Sequence, residues 1–297
     1  MGERAQGGKR FRSVARSRRA LARARARRHD VAMTPDAIAA TAEILANLRL
    51  RAPGTAPMAG LPPALRPATM ADAAQVQARL RGVLAARGLG APAGWKIGCA
   101  APVMQAFLGI DHPCAGTLYA GGLHHGHARL EAARFYKLGL ECEIAVRLGA
   151  DLPHGRDPAQ VRAAVGAAMT SIELVEERFT GLASAGAPTL AADDFFSIGC
   201  VLGEARALDD LPDLGTLEGG FEVDGAAPEH TGTGAAIMGH PLLALAWLAD
   251  AKAAEGACLR AGEVITLGSI VRTIYPAPGM RVVARIEGLG SASVEVV

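Results

Sequence analysis

Apolar and polar residues alternate over residues 140–146, which is the period of a β-strand. On such a strand Glu141 and Glu143 point to the face opposite the apolar residues. Two residues along a strand span about 6.6 Å, so long side chains at this spacing can converge on one point. Converging carboxylates repel each other unless a cation or a shared proton lies between them. The pair therefore indicates either a solvent-facing edge or half of a hard-cation site.

Similar short apolar stretches predict further strands from residue 94 onward. Together with the first, the predicted strands cover residues 94–98, 140–148, 171–175, 198–202, 220–223, 264–267, 281–286 and 293–297. Long helices are expected between them over residues 157–169 and 240–255. Strands at irregular intervals with few helices are typical of an α+β fold with a mixed, strongly curved sheet.

A helical pattern precedes these strands. Pro35 suits the first turn of a helix that opens at Thr34, and a second helix is expected after Thr69, where Asp72 completes a capping box. A Pro- and Gly-rich link over residues 53–67 separates the two helices. We therefore predict a basic tail over residues 1–32, a helical segment over residues 33–90 and a β-rich domain over residues 91–297.

Charge is distributed unevenly along the chain. Residues 1–28 hold eleven Lys and Arg residues and one Glu, whereas the remainder holds 20 basic and 28 acidic residues. An acidic body argues against nucleic-acid binding by the body itself. The basic tail could bind anionic polymers or lipid, or serve as an organellar presequence. A disordered tail, or a true start at Met33, is favoured over both.

Composition narrows the class of protein. Half of the 297 residues are apolar, enough for one large core or two modest ones. No apolar run reaches the roughly 18 residues needed to span a bilayer, which argues against a membrane protein. Five scattered cysteines without C-x-x-C spacing indicate neither a disulfide framework nor a zinc site. The expected setting is a reducing cytoplasm.

A third carboxylate, Glu173, lies in the apolar stretch 171–175. A strand–helix–strand return can lay this stretch beside residues 140–148. Three carboxylates together with waters suit Mg²⁺ or Mn²⁺, which take oxygen ligands octahedrally. The alternative is that Glu173 joins Glu176, Glu177 and Arg178 in an ordinary solvated charged patch.

Lys96 and the histidines are further candidates for chemistry. Lys96 stands between Trp95 and Ile97, so either its stem packs on Trp95 with the ammonium in water, or the ammonium points into a pocket. The histidine-rich loop over residues 121–127 has no Cys, Asp or Glu at ligand spacing, which disfavours a zinc site. His240, before Pro241, is typical of a helix start, although it could line a cleft.

Several segments in the same order together resemble the 2-keto-4-pentenoate hydratase and 4-oxalocrotonate decarboxylase group of the fumarylacetoacetate hydrolase superfamily. They are Gly94-Trp95-Lys96-Ile97-Gly98, Leu108-Gly109-Ile110-Asp111-His112-Pro113, Glu141-Cys142-Glu143, Ile172-Glu173-Leu174-Val175, Ala192-Asp193, Ser197, Gly239-His240-Pro241 and Gly268-Ser269. The resemblance implies a mixed β-roll or sandwich in the β-rich domain, catalysis on a small-molecule 2-oxo acid, and assembly into a homo-oligomer.

The resemblance also implies roles for particular residues. Glu141, Glu143 and Glu173 fall on the ligand positions of a Mg²⁺ or Mn²⁺ ion, and Lys96 falls on the catalytic lysine. Ser269, Asp193, Ser197 and His240 are assigned to substrate binding. The leading expectation is hydration of 2-oxopent-4-enoate, or its dienol, to 4-hydroxy-2-oxopentanoate. The alternatives are decarboxylation of a 2-oxo-dicarboxylate, hydrolysis of a carbon–carbon bond, and a catalytically dead binding protein.

Two departures from the group's pattern bear on the reaction. Cys114 stands where the hydratases typically carry an acidic residue, and a thiol is a much weaker acid than a carboxyl group. Phe195 and Phe196 stand where small residues are expected. We expect the two aromatic rings to reshape the substrate pocket.

Overall fold

The computed structural model describes residues 32–297, so the predicted basic tail lies, apart from Ala32, outside the described residues. Its larger sheet has eight strands, in the order β2-β1-β11-β5-β6-β7-β3 with β8 beside β6. These strands are β1 (Pro92–Gly98), β2 (Cys114–Tyr119), β3 (Leu123–His125), β5 (Leu138–Leu148), β6 (Val165–Glu176), β7 (Ser197–Leu202), β8 (Arg206–Ala207) and β11 (Val264–Ser269). Parallel and antiparallel pairs both occur, so the sheet is mixed as predicted.

The smaller sheet has five strands in the order β10-β9-β12-β13-β4. They are β4 (His127–Leu130), β9 (Glu218–Val223), β10 (Thr231–Thr233), β12 (Arg281–Ile286) and β13 (Gly290–Val296). Leu140, Cys142 and Ile144 from the apolar face of β5 share one buried cluster with Phe221 and Val282 of the smaller sheet. The main core therefore includes side chains from both sheets, and the glutamates of β5 are left on the other face.

Helices surround the sheets. They are α1 (Pro35–Arg49), α2 (Met70–Leu84), α3 (Pro102–Leu108), α4 (Pro158–Ala164), α5 (Leu182–Ala185), α6 (Ala187–Ala192) and α7 (Pro241–Ala254). Thr34 caps α1, and Thr69 with Asp72 forms the predicted capping box of α2. Buried residues of α1, α2 and α6 share a second apolar cluster with Tyr119 of the edge strand β2.

The predicted helix over residues 157–169 is wrong in its second half. Helix α4 ends at Ala164, and β6 begins at Val165. The alanines of this stretch favour a helix, but pairing with β5 buries Ala168 and Met169 as strand residues. The chain also passes close to β5, since a Cβ on Gly166 would lie 3.1 Å from the Cα of Gly149.

Helix α7 is strongly apolar. Gly234–Ala254, which includes α7, is long and apolar enough by composition to cross a membrane. Ala244, Leu245 and Leu248 of α7 are nevertheless fully buried within the main core. We therefore interpret α7 as a core helix of the fold.

Candidate active site

The three predicted metal-ligand residues meet on the larger sheet. Glu141 of β5 lies directly opposite Glu173 of the antiparallel strand β6, and Glu143 lies two residues further along β5. One carboxylate oxygen from each residue lies within 4.8 Å of the other two. Oxygens bound to a single Mg²⁺ lie at most about 4.2 Å apart, so a small adjustment of the side chains closes the set around one ion. The alternative of a solvated charged patch at Glu173 is wrong, because Glu173 is fully buried.

Burial makes this cluster unfavourable without a cation. Burial, together with the charges of Glu173 and Glu141, raises the pKa of Glu143 well above its usual range. Burial and the Glu141 charge likewise raise the pKa of Glu173 to about 7, although Lys96 opposes the shift. Within residues 32–297, Oε1 of Glu143 and Oε2 of Glu173 have no hydrogen-bond partner despite their burial. Orphaned carboxylate oxygens in a group of three fit a divalent ion.

Lys96 extends its side chain from β1 into the same cluster. Its Nζ lies 3.1 Å from Oε1 of Glu173, and only 2% of the residue is exposed. Burial disfavours the charged ammonium, but the carboxylates of Glu173, Glu141 and Glu143 outweigh burial and raise the pKa of Lys96 above its usual value. Of the two alternatives for Lys96, the structure shows the one in which the ammonium points into a site.

One residue of β11 and one residue that follows it hold two of the glutamates in place. The Gly268 amide donates a 2.9 Å hydrogen bond to Oε2 of Glu143, and the Thr273 hydroxyl donates a 2.6 Å bond to Oε1 of Glu141. Gly268 adopts a φ of +121°, and a Cβ there would lie 3.0 Å from the Cβ of Ala100. A glycine is therefore favoured at position 268, because a residue with an L side chain rarely adopts this backbone conformation.

A cleft of about 560 Å³ opens beside the cluster. Its walls come from the end of β1, from α3, and from residues 268–275, and Glu141 lies on the wall. Val103 of α3, which lines the cleft, is largely exposed. The cleft volume lies within the range of small-molecule sites.

The four residues predicted to bind substrate lie in different places. Ser269 lines the cleft and donates a 2.7 Å hydrogen bond to the Val271 carbonyl, and the Ser197 hydroxyl lies beside the Glu173 carboxylate. His240 instead caps α7, where its Nδ1 accepts from the Leu242 amide, and it lines a separate cavity. The structure therefore places His240 outside the candidate active site.

Asp193 belongs to a buried ion-pair network that sequence reasoning missed. Arg178 is fully buried and donates a 2.8 Å hydrogen bond from Nε to Oδ2 of Asp193. Arg49 of α1 lies 3.0 Å from Oδ2 of Asp194, whose Oδ1 accepts from the Thr117 amide. The network anchors the loop after α6. Its buried ion pairs contradict the solvated charged patch considered above for Arg178.

Phe195 stands on this anchored loop. Asp194, Phe195 and Phe196 all have positive φ, at 51°, 45° and 67°. A Cβ on Gly98 would lie 3.1 Å from Nζ of Lys96 and 3.5 Å from the Cβ of Phe195. The strained loop therefore places one of the two aromatic residues beside the lysine, although neither phenylalanine lines the cleft described above.

Cys114 pairs with Gly98 across β1 and β2 and is buried. A hydrogen bond to Cys99, together with burial, raises the pKa of the Cys114 thiol far above its usual value. Cys114 therefore stays protonated and does not supply the negative charge of a carboxylate at this position.

Comparison with known proteins identifies the family. Residues 123–297 match the model of the fumarylacetoacetate (FAA) hydrolase C-terminal domain. Over 199 residues the chain is 33% identical to 2-keto-4-pentenoate hydratase from Burkholderia vietnamiensis, a match that covers 67% of this chain and 75% of the relative. The chain belongs to the fumarylacetoacetate hydrolase family. The family and the enzyme class predicted from the sequence are thereby confirmed.

Another relative and two solved structures extend the comparison. The chain is 31% identical over 231 residues to 4-oxalocrotonate decarboxylase from Pseudomonas putida, covering 77% of this chain and 86% of the relative. 4-Oxalocrotonate decarboxylase from Pseudomonas putida G7, complexed with magnesium and adipate, superposes with a TM-score of 0.83 at 28% identity, over 90% of this chain and all of that one. Fumarylpyruvate hydrolase from Pseudomonas aeruginosa shares the fold, with a TM-score of 0.54 at 15% identity, over 68% of this chain and 88% of that one. The predicted α+β fold is confirmed.

Proposed function

We propose that the protein is a metal-dependent lyase acting on short 2-oxo or 2-hydroxydienoic acids, with hydration of 2-oxopent-4-enoate as its leading reaction. The observation that carries the proposal is the cluster of three glutamates with orphaned buried oxygens and a lysine 3.1 Å from one of them. The 2-keto-4-pentenoate hydratase relatives, at 32–33% identity, support the choice of reaction.

Glu141, Glu143 and Glu173 would hold the ion, and the donor set of three carboxylates suits Mg²⁺ or Mn²⁺. When bound, such an ion acts as a Lewis acid that polarises the 2-oxo group and favours enolisation. Three carboxylates and a divalent ion leave one negative charge, so an anionic substrate needs a nearby cation. Lys96 supplies that charge and lies where it can transfer a proton to or from the enolised acid.

The surrounding residues position these groups. Gly268 and Thr273 orient Glu143 and Glu141, and the Ser197 hydroxyl lies beside Glu173. Apolar side chains of β1 and α3 line part of the cleft, which limits its contact with water and strengthens the electrostatic contacts inside it.

Decarboxylation of a 2-oxo-dicarboxylate is the second candidate. It is supported by the superposition with the decarboxylase from Pseudomonas putida G7, which covers the whole of that chain. Position 114 also carries a protonated cysteine in place of the carboxylate that hydratases typically have, which weakens the support for hydration. Hydrolysis of a carbon–carbon bond is a weaker candidate, since the hydrolase structure supports the shared fold alone.

The test incubates the protein with Mg²⁺ or Mn²⁺ and either the dienol form of 2-oxopent-4-enoate or a 2-oxohexenedioate. Loss of the dienol absorbance with formation of 4-hydroxy-2-oxopentanoate supports hydration. Release of CO₂ alone would show that the hydratase assignment is wrong. We further propose that the enzyme works in the cytoplasm and that it forms a homo-oligomer. Gel filtration of the purified chain would test the oligomeric state.

A further inference from the structure

Two cysteines lie side by side at the end of β1 and the start of β2. Cys99 follows Gly98, the last residue of β1, and Gly98 pairs with Cys114, the first residue of β2. One strand spacing of about 4.8 Å and one residue step of about 3.4 Å place the two Cα atoms roughly 6 Å apart, a separation that a disulfide can bridge. Both thiols are free, and they are hydrogen-bonded to each other. The fold therefore brings together two cysteines that are fifteen positions apart in the sequence.

The surroundings of the two thiols differ. Cys99 is half-buried and lines the cleft, so a small solute in the cleft can reach it. The hydrogen bond from Cys114 lowers the pKa of the Cys99 thiol, and the Lys96 ammonium lowers it further, although burial opposes both. Cys114 is buried and holds its proton. Cys99 is therefore the nucleophile of the pair, and Cys114 is the thiol that can attack it after oxidation.

The other cysteines lack this combination. Cys142 and Cys200 are fully buried, and burial raises the pKa of both thiols. Cys258 lies outside the residues that line the cleft, and its thiol donates a 3.2 Å hydrogen bond to the Leu259 carbonyl. Oxidation of cysteine follows thiolate character and exposure, so a small oxidant should select Cys99.

The pair adjoins the lysine of the candidate active site. Lys96 precedes Cys99 by three residues, and a Cβ on Gly98 would lie 3.1 Å from Nζ of Lys96. The backbone of Cys99 has a φ of +56°, which a residue with an L side chain rarely adopts, and Gln105 of α3 donates a 2.9 Å hydrogen bond to its carbonyl. A covalent bond to Cys114 would shift this backbone, and with it the end of β1 that carries Lys96.

We propose that Cys99 and Cys114 form a redox-sensitive modification site, which hydrogen peroxide converts to a disulfide that slows turnover at Lys96. The Cys99 thiolate first attacks one peroxide oxygen, which leaves a sulfenic acid and releases hydroxide. The Cys114 sulfur then attacks the Cys99 sulfur, and the thiol proton leaves with the hydroxyl group as water. The two thiols together lose two electrons and two protons, and one peroxide becomes two waters.

The disulfide itself does not depend on the proposed function, whereas its effect on turnover rests on that function. A dithiol reverses the modification by thiol–disulfide exchange. Transient, redox-sensing disulfides are the kind that cytoplasmic proteins form.

Peptide mapping of the full chain tests the disulfide directly. Trypsin releases both cysteines on one peptide, residues 97–129, because no Lys or Arg lies between Lys96 and Arg129. The protein is treated with hydrogen peroxide, denatured, alkylated with iodoacetamide and digested. We expect this peptide to carry no alkyl group and to be two hydrogens lighter than the reduced peptide, and dithiothreitol before alkylation should restore both alkylation sites. Two alkyl groups on the peptide after peroxide would overturn the inference.

Turnover in the assay of the proposed function tests the consequence. Peroxide should lower kcat of the Mg²⁺-loaded protein by at least about 10-fold, because a displacement of about 1 Å in a catalytic group can cost about 100-fold, and dithiothreitol should restore it. Calorimetry should still detect Mg²⁺ binding, because none of the three glutamates lies on β1 or β2. An unchanged kcat in the oxidised protein would overturn the effect on turnover. A reduced protein without turnover would overturn the proposed function, and the peptide map would still decide the disulfide.

Three variants sharpen the test. Cys99→Ser should form no disulfide and should keep its own untreated kcat after peroxide. Cys114→Ser should instead carry Cys99 on to the sulfinic acid, which dithiothreitol does not reduce. Cys258→Ser, at a half-buried cysteine outside the cleft, should form the disulfide as the wild type does. Inactivation of Cys99→Ser by peroxide at the wild-type rate would overturn the inference.

Discussion

Replacing Glu143 by Gln should raise the stability of the metal-free protein and remove most of the stabilisation that a bound metal ion provides. The amide keeps an oxygen that can accept from Gly268 and is neutral, whereas the buried Glu143 side chain must either bind a proton or place a charge beside Glu141 and Glu173. A pKa of about 7 for Glu173, against 4.5 ordinarily, shows that one carboxylate in this cluster costs about 3 kcal/mol when ionised. The metal-free variant should therefore unfold at a temperature several degrees above that of the metal-free wild type, at about 2 °C per kcal/mol.

Metal should narrow this difference, because it stabilises mainly the wild type. At a Mg²⁺ concentration 100 times its dissociation constant, the wild type gains about 2.7 kcal/mol, or about 5 °C, whereas the variant should gain much less. Differential scanning fluorimetry in EDTA and in MgCl₂ measures both effects, and Glu295→Gln on the exposed part of β13 serves as the control. A variant that keeps the full metal-dependent shift would refute the ligand role of Glu143. Destabilisation in EDTA would refute the argument from crowded charge.

Three other changes test separate parts of the site. Lys96→Met should lower kcat by at least about 100-fold while calorimetry still detects metal binding, and a wild-type kcat would remove Lys96 from the mechanism. The raised pKa of Glu173 means that the folded, metal-free protein holds this proton more tightly than the unfolded chain. Stability in EDTA should therefore fall by up to about 3 kcal/mol as the pH rises from about 4.5 to about 7, and denaturant melts that show a rise would contradict that sign. Asp193→Asn should destabilise the fold by about 3 kcal/mol, because buried Arg178 loses its charged partner. Unchanged stability in denaturant together with weaker substrate binding would instead support the predicted contact between Asp193 and the substrate.

The sequence predicted the pair of glutamates on β5 well, because alternation within a strand is a local property. Glu141 and Glu143 face away from the apolar residues of that strand, as the pattern requires. The position of Glu173 opposite Glu141 depends on how the chain returns beside β5, which is not a local property. The family resemblance predicted that Glu173 joins the other two glutamates, although the predicted helix before it extended too far. The alanine-rich residues 163–168 favour a helix locally, but strand pairing with β5 overrides that preference from Val165 onward.

Other parts of the site could not be predicted from local patterns. Gly268 reaches the cluster because the pairing of β11 with β5 shifts register between Thr266 and Ser269. No periodicity in the sequence marks such an irregularity. Arg178 lies in a charged stretch that resembles a solvated surface, and its burial depends on Asp193, which is fifteen residues away. A single chain sequence contains no signal for that pairing.

The central claim is that three glutamates from two strands hold one divalent ion. The most direct test is a crystal of the wild-type chain grown with Mn²⁺ and measured for anomalous scattering. The account predicts one strong peak, about 2.1 Å from an oxygen of each of Glu141, Glu143 and Glu173, with Lys96 close by. A peak at other residues, or none at the cluster under saturating Mn²⁺, would contradict it.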